Sequence, residues 1–205
     1  MIDGPRIVLA SGSPRRTELL TRLGIPHTVD PSSVEETFVD GESAGDRVAR
    51  LAIAKAREVT ARHPDAWVIG GDTEVVVDGE SLGKPADPRE AVSMLRRLAG
   101  RSHLVLSSVA LLCPGAEPIV EVVPTHVRMR AATSAELSEY VATGEPLDKA
   151  GAYGIQGLGS TLVESIRGDY TAVVGLPVGA LLRAFERAGC RWAFGRGWSP
   201  AGAAE

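Results

Sequence analysis

Apolar positions in this chain switch between a short strand period and a helical one, and the switches predict the elements. Arg6–Ala10 (RIVLA) reads as a short buried strand. Ser13 then stands as an N-cap with Pro14 at the first helical position, and the helix runs to about Leu23, where Gly24 stops it. A strand is expected around His27–Pro31. Val48, Leu51, Ala52 and Val59 share one helical face and predict a long helix over Asp46–Arg62. Trp67–Val77 reads as a strand with a Gly-Gly break inside it. Asp87-Pro88-Arg89-Glu90 has a capping-box pattern, and Gly100 ends that helix. Strands are expected over 103–113 and 119–130, then a second capping box at Thr133–Glu136 with a helix ended by Gly144. A Gly-rich loop over 145–160, two short strands and a last helix over Val178–Ala188 complete the pattern.

This order points to an α/β fold, a mixed sheet with helices packed on it. A length of 205 residues suits one domain or two small intimate lobes. Residues 1–188 are read as that domain, and the Gly/Ala-rich stretch 189–205 as a frayed tail. A hydrophobic share of 44% supports a packed core and excludes a disordered tail protein. Cys113 and Cys190 are too few for a disulfide-stapled scaffold and suit a reducing cytoplasm. No apolar run reaches the ~18 residues of a membrane span, and Asp3 stands where a secretory signal would be basic. With 26 acidic against 22 basic residues, bulk duplex binding is disfavoured, while a nucleotide pocket with a local basic patch is not.

The informative residues are charges that break amphipathic spacing. Arg16 shares the face of Leu19, Leu20 and Leu23 in the first turn of its helix, after the small residues Ser11-Gly12-Ser13. It either binds an anion at the helix N-terminus or snorkels to solvent. Lys55 lies in the middle of the long helix's buried stripe and needs an anionic partner or an aqueous cleft, unless it reaches water past the helix end. Asp72 follows the apolar run Trp67–Gly71 and is either a cleft carboxylate or a turn residue. The glycines before it admit close approach of a ligand or a backbone. Glu35 and Glu36 form an acidic pair that with Asp72 offers hard oxygen ligands for magnesium, or is simply a solvated loop. Lys84, after the Asp78-Gly79 turn, carries no signal alone. The four histidines lack metal-ligand spacing.

Four ordered segments together resemble the Maf family of nucleoside triphosphate pyrophosphatases. They are Leu9–Arg16 followed by Glu18-Leu19-Leu20, Gly71-Asp72-Thr73, Gly83-Lys84-Pro85, and the run from Gly144 to Gly159 (GEPLDKAGAYGIQGLG). The resemblance covers about residues 6 to 188. It implies an elongated mixed β-sheet flanked by helices, with two lobes and a central cleft. It implies a cytoplasmic enzyme, dependent on magnesium or alternatively manganese, that splits the α–β phosphoanhydride of a nucleoside triphosphate. Asp72, Glu36, Lys55 and Lys84 would be catalytic, with Asp72 and Glu36 on the metal and Glu35 as a substitute for Glu36. Ser13, Arg15, Arg16, Thr73 and Gln156 would bind substrate. A homodimer is implied, with no nucleic-acid or membrane partner.

Within the family, Arg15, Thr73 and Gln156 resemble the branch acting on dTTP and UTP rather than the one acting on 7-methyl-GTP. A side-chain amide can meet a pyrimidine edge as donor and acceptor together. The chain departs from the family pattern at Gly71, where alanine is usual, and at Glu74, where Val or Ile is usual. Glu74 falls on the same strand face as Asp72 and is either an added acid at the metal or a harmless edge residue. The rival readings are a regulatory binder in cell-division (septum) arrest, which also has a family association, and a nucleotidyltransferase.

Overall fold

The computed structural model describes residues 4–193 and 197–200. Strand β1 (Ile7–Leu9) runs parallel to β2 (Thr28–Val29), with Val8 opposite Thr28, and parallel to β3 (Trp67–Val77), with Val8 opposite Val68. β4 (Glu80–Leu82) turns back antiparallel on β3, with Val76 opposite Ser81. The two residues between them, Asp78 and Gly79, have φ of 55° and 77°, as a type I′ hairpin requires. β5 (Ser102–Leu112) and β6 (Ile119–Met129) follow, and β7 (Val163–Arg167) pairs antiparallel with β6. The sheet order is β2-β1-β3-β5-β6-β7, with β4 on β3. The helices are α1 (Pro14–Arg22), α2 (Ala44–Thr60), α3 (Pro88–Leu98), α4 (Ser134–Ala142), α5 (Tyr170–Val174) and α6 (Val178–Arg187). The mixed sheet and its helices agree with the α/β expectation. No described helix is long and apolar enough to cross a membrane.

Local chemistry explains where elements begin. α2 starts two residues before Asp46 because Ser43 is the N-cap and its hydroxyl accepts the Asp46 N–H. The capping box at Thr133 and Glu136 is reciprocal. At α3 Asp87 accepts the Glu90 N–H, but the Glu90 carboxylate takes the N–H of Ala86 instead of Asp87. After the Gly-rich loop only one strand forms, not two. The Asp169 carboxylate accepts the N–H groups of Thr171 (2.7 Å) and Ala172 (3.2 Å) and so opens α5. The tail expectation also changes. Residues Cys190–Ala193 (β8) and Gly197–Pro200 (β9) form an antiparallel hairpin. Its Trp198 meets Phe185 edge-to-face at 4.9 Å and Trp192 at 5.2 Å, and this aromatic packing orders what composition alone reads as frayed. The rest of the tail, 194–196 and 201–205, lies outside the described residues.

The chain divides into two compact units, and β3, β5 and β6 contribute residues to both. The first holds the chain up to Asp72, Ser107–Val123 and the chain from Gly175 onward. Its core is rich in small residues: Ala10, Ala52, Ala56, Ala66 and Ala110 pack with Val8, Val59 and Val68, which lets α2 lie close on the sheet. The second unit holds Thr73–Leu106 and Pro124–Val174. Its core is bulkier, with Leu95, Leu98, Met129, Leu137 and Tyr153 among its members.

His103 is buried in the second core, 2.8 Å from the Tyr153 hydroxyl through Nε2, while its Nδ1 has no partner among the described residues. Burial pushes the imidazole down from 6.5 to about 4. The folded chain therefore keeps His103 neutral where the unfolded chain protonates it. The contribution of His103 to stability is full above pH 6.5 and is lost as pH falls toward about 4. The gap corresponds to ~3 kcal/mol. Urea unfolding at neutral pH and near pH 4 is expected to show a loss that is larger by that amount in the native protein than in His103→Gln. Equal pH slopes in the two proteins would remove this account of His103.

Candidate active site

The first unit gathers four charged side chains that the sequence scatters. Asp72, on β3, is 8% exposed. Lys55, from the middle of α2, donates to Asp72 Oδ1 at 2.7 Å and to Glu36 Oε1 at 2.6 Å. The ammonium thus has the anionic partners its position on the buried stripe demands. Of the acidic pair, Glu36 is the residue that reaches it. Burial pushes the Asp72 carboxyl above its ordinary value, with Glu36 adding to the rise, although Lys55 and Arg16 pull the other way. A carboxylate so placed is a stronger base than one in water.

Glu36 sits on a loop, yet that loop is tied to α2 along its length. The Glu58 carboxylate accepts both Ser32 and Ser33, and their hydroxyls with Arg62 hold it down to about 2. Arg62 also forks onto Asp30 at 2.9 and 3.1 Å. Farther along, Arg50 grips Glu42 through two bonds of 2.6 and 2.7 Å and reaches the Thr37 carbonyl. Arg47 stacks over Phe38 at 4.3 Å. These bonds hold the Asp30, Glu42 and Glu58 carboxyls below their ordinary values, and the loop so anchored brings Glu36 to Lys55.

Arg16 is buried and does not snorkel to solvent. The residue is 9% exposed, with Nε donating to the Gly175 carbonyl at 2.7 Å and Nη1 to Ser11 Oγ at 3.0 Å and the Gly71 carbonyl at 2.8 Å. Burial lowers its pKa against the opposing pull of Asp72. Arg16 therefore works as a strut that ties the start of α1 to the backbone just before Asp72, and it lends positive charge there. Beside it, Ser13 opens α1 without using its hydroxyl as a cap, and its own N–H goes to Ser11 Oγ. Arg15 is half-buried in the same turn. The Asp72 backbone is held from the other side by two buried serines of β5 that spacing did not single out. Ser108 donates to the Val48 carbonyl of α2 at 2.6 Å and, more loosely, to the Asp72 carbonyl, which Ser107 also approaches. The available signal was a polar pair inside an otherwise apolar strand.

The remaining expected residues belong to the second unit. Thr73 is half-buried next to Asp72 in β3. Lys84 is exposed after β4. Gln156 is half-buried at the head of a 3-10 turn, Gly157–Leu162. The Gly151 N–H donates to the Gly83 carbonyl at 3.0 Å, so the Lys84 turn and the Gly-rich loop are hydrogen-bonded within this unit. Glu74 is 9% exposed and so is not an exposed edge residue.

Residues 6–188 match the family described as Maf-like protein. The chain belongs to this family. Among curated relatives it is 54% identical over 173 residues to a dTTP/UTP pyrophosphatase of Symbiobacterium thermophilum, covering 84% of this chain and 89% of that one. It is 50% identical over 187 residues to a dTTP/UTP pyrophosphatase of Myxococcus xanthus, covering 91% and 94%. Among solved structures, the Staphylococcus aureus Ham1 protein aligns at a TM-score of 0.48 and 17% identity, over 77% of this chain and 79% of that one; that likeness is too loose to carry an argument.

Among the described residues no three of His, Cys, Asp and Glu converge as a ligand set. Asp72 and Glu36 do converge, on the two sides of one ammonium. Two carboxylates, with the other positions left to phosphate oxygens and water, is a common way for magnesium to be held. The pair therefore fits a hard divalent cation. Charge points the same way. The two carboxylates are balanced by Lys55 and Arg16, which leaves a triphosphate's own charge to be met by further cations.

Proposed function

We propose that this Maf-like chain is a nucleoside triphosphate pyrophosphatase that hydrolyses dTTP and UTP to the monophosphate and pyrophosphate. The observation that carries the reading is the buried Asp72 carboxylate, raised by burial and held by Lys55 beside Glu36. The identity to dTTP/UTP pyrophosphatases supports the substrate, as does the set Arg15, Thr73 and Gln156.

In this reading a water oxygen attacks the α-phosphorus, the bond from that phosphorus to the bridging oxygen breaks, and pyrophosphate leaves with the electron pair. Asp72 takes the water's proton. Lys55 fixes the orientation of Asp72 and Glu36. Arg15 and Lys84, with the N-terminal turn of α1 at Ser13, take up phosphate charge as it develops. Asp72 and Glu36 would hold magnesium, or manganese in its place, which when bound neutralises triphosphate oxygens. Gln156 and Thr73 meet the base. The protein acts in the cytoplasm, on the free nucleotide pool, as a homodimer.

The test is a panel of dTTP, UTP and 7-methyl-GTP with magnesium, scoring monophosphate and pyrophosphate. Release from dTTP and UTP in preference to 7-methyl-GTP is expected. Preference for 7-methyl-GTP would overturn the branch. No release from folded protein with any metal would overturn the enzyme reading in favour of a regulatory binder.

A further inference from the structure

A single carboxylate organises the loop that carries Gln156. Glu145 opens the short turn after α4, and its Oε1 accepts the Gly159 N–H at 2.9 Å while Oε2 accepts the Leu158 N–H at 2.9 Å. Oε1 also accepts the hydroxyl of Tyr140, at 3.0 Å. That hydroxyl in turn accepts the Gly154 N–H at 3.2 Å. The amides held by this pair lie on both sides of residue 156: 154 before it, 158 and 159 after it. The glycines are what let the bracket close. A Cβ on Gly157, where φ is +62°, would sit 2.7 Å from Glu145 Oε2, and one on Gly159 would sit 2.5 Å from the Tyr140 hydroxyl and 2.3 Å from the Gly154 carbonyl. The Lys149 ammonium closes the outer side by donating to the Glu145 carbonyl and to Asp148.

We infer that Glu145 and Tyr140 are positioning residues for base selection: they set where the Gln156 amide stands, and so set the preference for pyrimidine nucleotides without touching the nucleotide themselves. The inference rests on the reading of Gln156 as a base contact. A reading group must be held to within about half an ångström to discriminate donors from acceptors, and charge-assisted bonds to backbone N–H groups are the stronger kind. The carboxylate is ionised at neutral pH. Burial raises its pKa, but the Gly159 and Leu158 N–H groups, the Tyr140 hydroxyl and Lys149 outweigh that and hold it below the ordinary value.

The experiment compares native protein with Glu145→Gln, Tyr140→Phe, Gln156→Ala and the double variant Glu145→Gln/Gln156→Ala, on dTTP and 7-methyl-GTP. Glu145→Gln keeps the size but replaces one acceptor oxygen by a donor, so at least one loop N–H loses its partner. KM for dTTP is expected to rise about tenfold, with kcat changed much less and the preference for dTTP falling in the direction that Gln156→Ala moves it. The double variant should be no worse than Gln156→Ala alone, because a bracket with nothing to position has no effect. A general loss of kcat on both nucleotides with the preference intact would mark a merely structural role and overturn the inference. If Gln156→Ala shifts the preference and neither Glu145→Gln nor Tyr140→Phe does, the bracket fails while the base contact stands. If Gln156→Ala itself leaves the preference intact, the base contact fails and the bracket's selective role goes with it. Tyr140→Phe removes one hydroxyl only and carries the test should Glu145→Gln unfold.

Discussion

Asp72→Asn is expected to slow release of pyrophosphate from dTTP by ~10²–10⁴-fold without lowering Tm. Both halves follow from the same burial. The side chain is 12% exposed and its carboxyl is raised above the ordinary range. A raised carboxyl means that the ionised form is disfavoured by the fold: the contribution to stability is full below the group's ordinary value and is lost as pH rises from there through the raised one. At neutral pH the charge therefore costs stability, and an amide of the same size relieves that cost. The amide keeps an oxygen for Lys55 but has no basic site for the proton of the attacking water. A variant that is slower and equally or more stable is the pattern of a group kept for chemistry. Single-substrate kinetics and thermal unfolding check it together. Full activity with native metal dependence would refute the role given to Asp72, and a marked fall in Tm would refute the electrostatic account.

Much of the fold was legible because its signals are local. Asp87 and Thr133 mark helix starts through bonds that span three residues, and Pro14 marks one through its fixed φ at the first helical position; the structure places α3, α4 and α1 there. β5 and β6 were legible from apolar runs of strand length. What escaped depends on partners distant in sequence. The fate of Arg16 was undecidable from its helix because its acceptors come from Gly71 and Gly175. The Asp169 cap hides in a stretch whose composition favours strands. The β8–β9 hairpin depends on aromatic contacts with α6. In the site, Lys55 and Asp72 stood out as charges on apolar faces, a conflict that only a functional or paired group resolves. Glu145 gave no such signal, since a glutamate in a Gly-rich loop looks solvated until the loop closes on it.

Gly70→Ala is expected to cost roughly 4 kcal/mol of stability and to misplace Lys55. The glycines of β3 admit either a ligand or a backbone, and at Gly70 the neighbour is backbone. A Cβ there would lie 2.1 Å from the Ala52 carbonyl oxygen and 2.9 Å from the Ala56 Cβ. Neither atom is the far end of a flexible chain, so the clash is relieved only by moving α2 off the sheet. Ala52 and Ala56 are both fully buried in the alanine-rich core of the first unit, and lifting them opens space on either side of the contact. Lys55 lies between them on the same helix, so the displacement also lengthens its 2.7 Å bond to Asp72. Activity should therefore fall along with stability, although residue 70 touches no substrate. Gly179→Ala in α6 is the control. Among the described residues its Cβ would meet only the Arg183 guanidinium, at 3.7 Å, and a helical Gly→Ala change of this kind is expected to stabilise by up to ~1 kcal/mol. Urea unfolding of the two variants should thus move in opposite directions. A Gly70→Ala protein as stable as the native one would mean that α2 does not rest on β3 at this point, and the placement of Lys55 would need another cause.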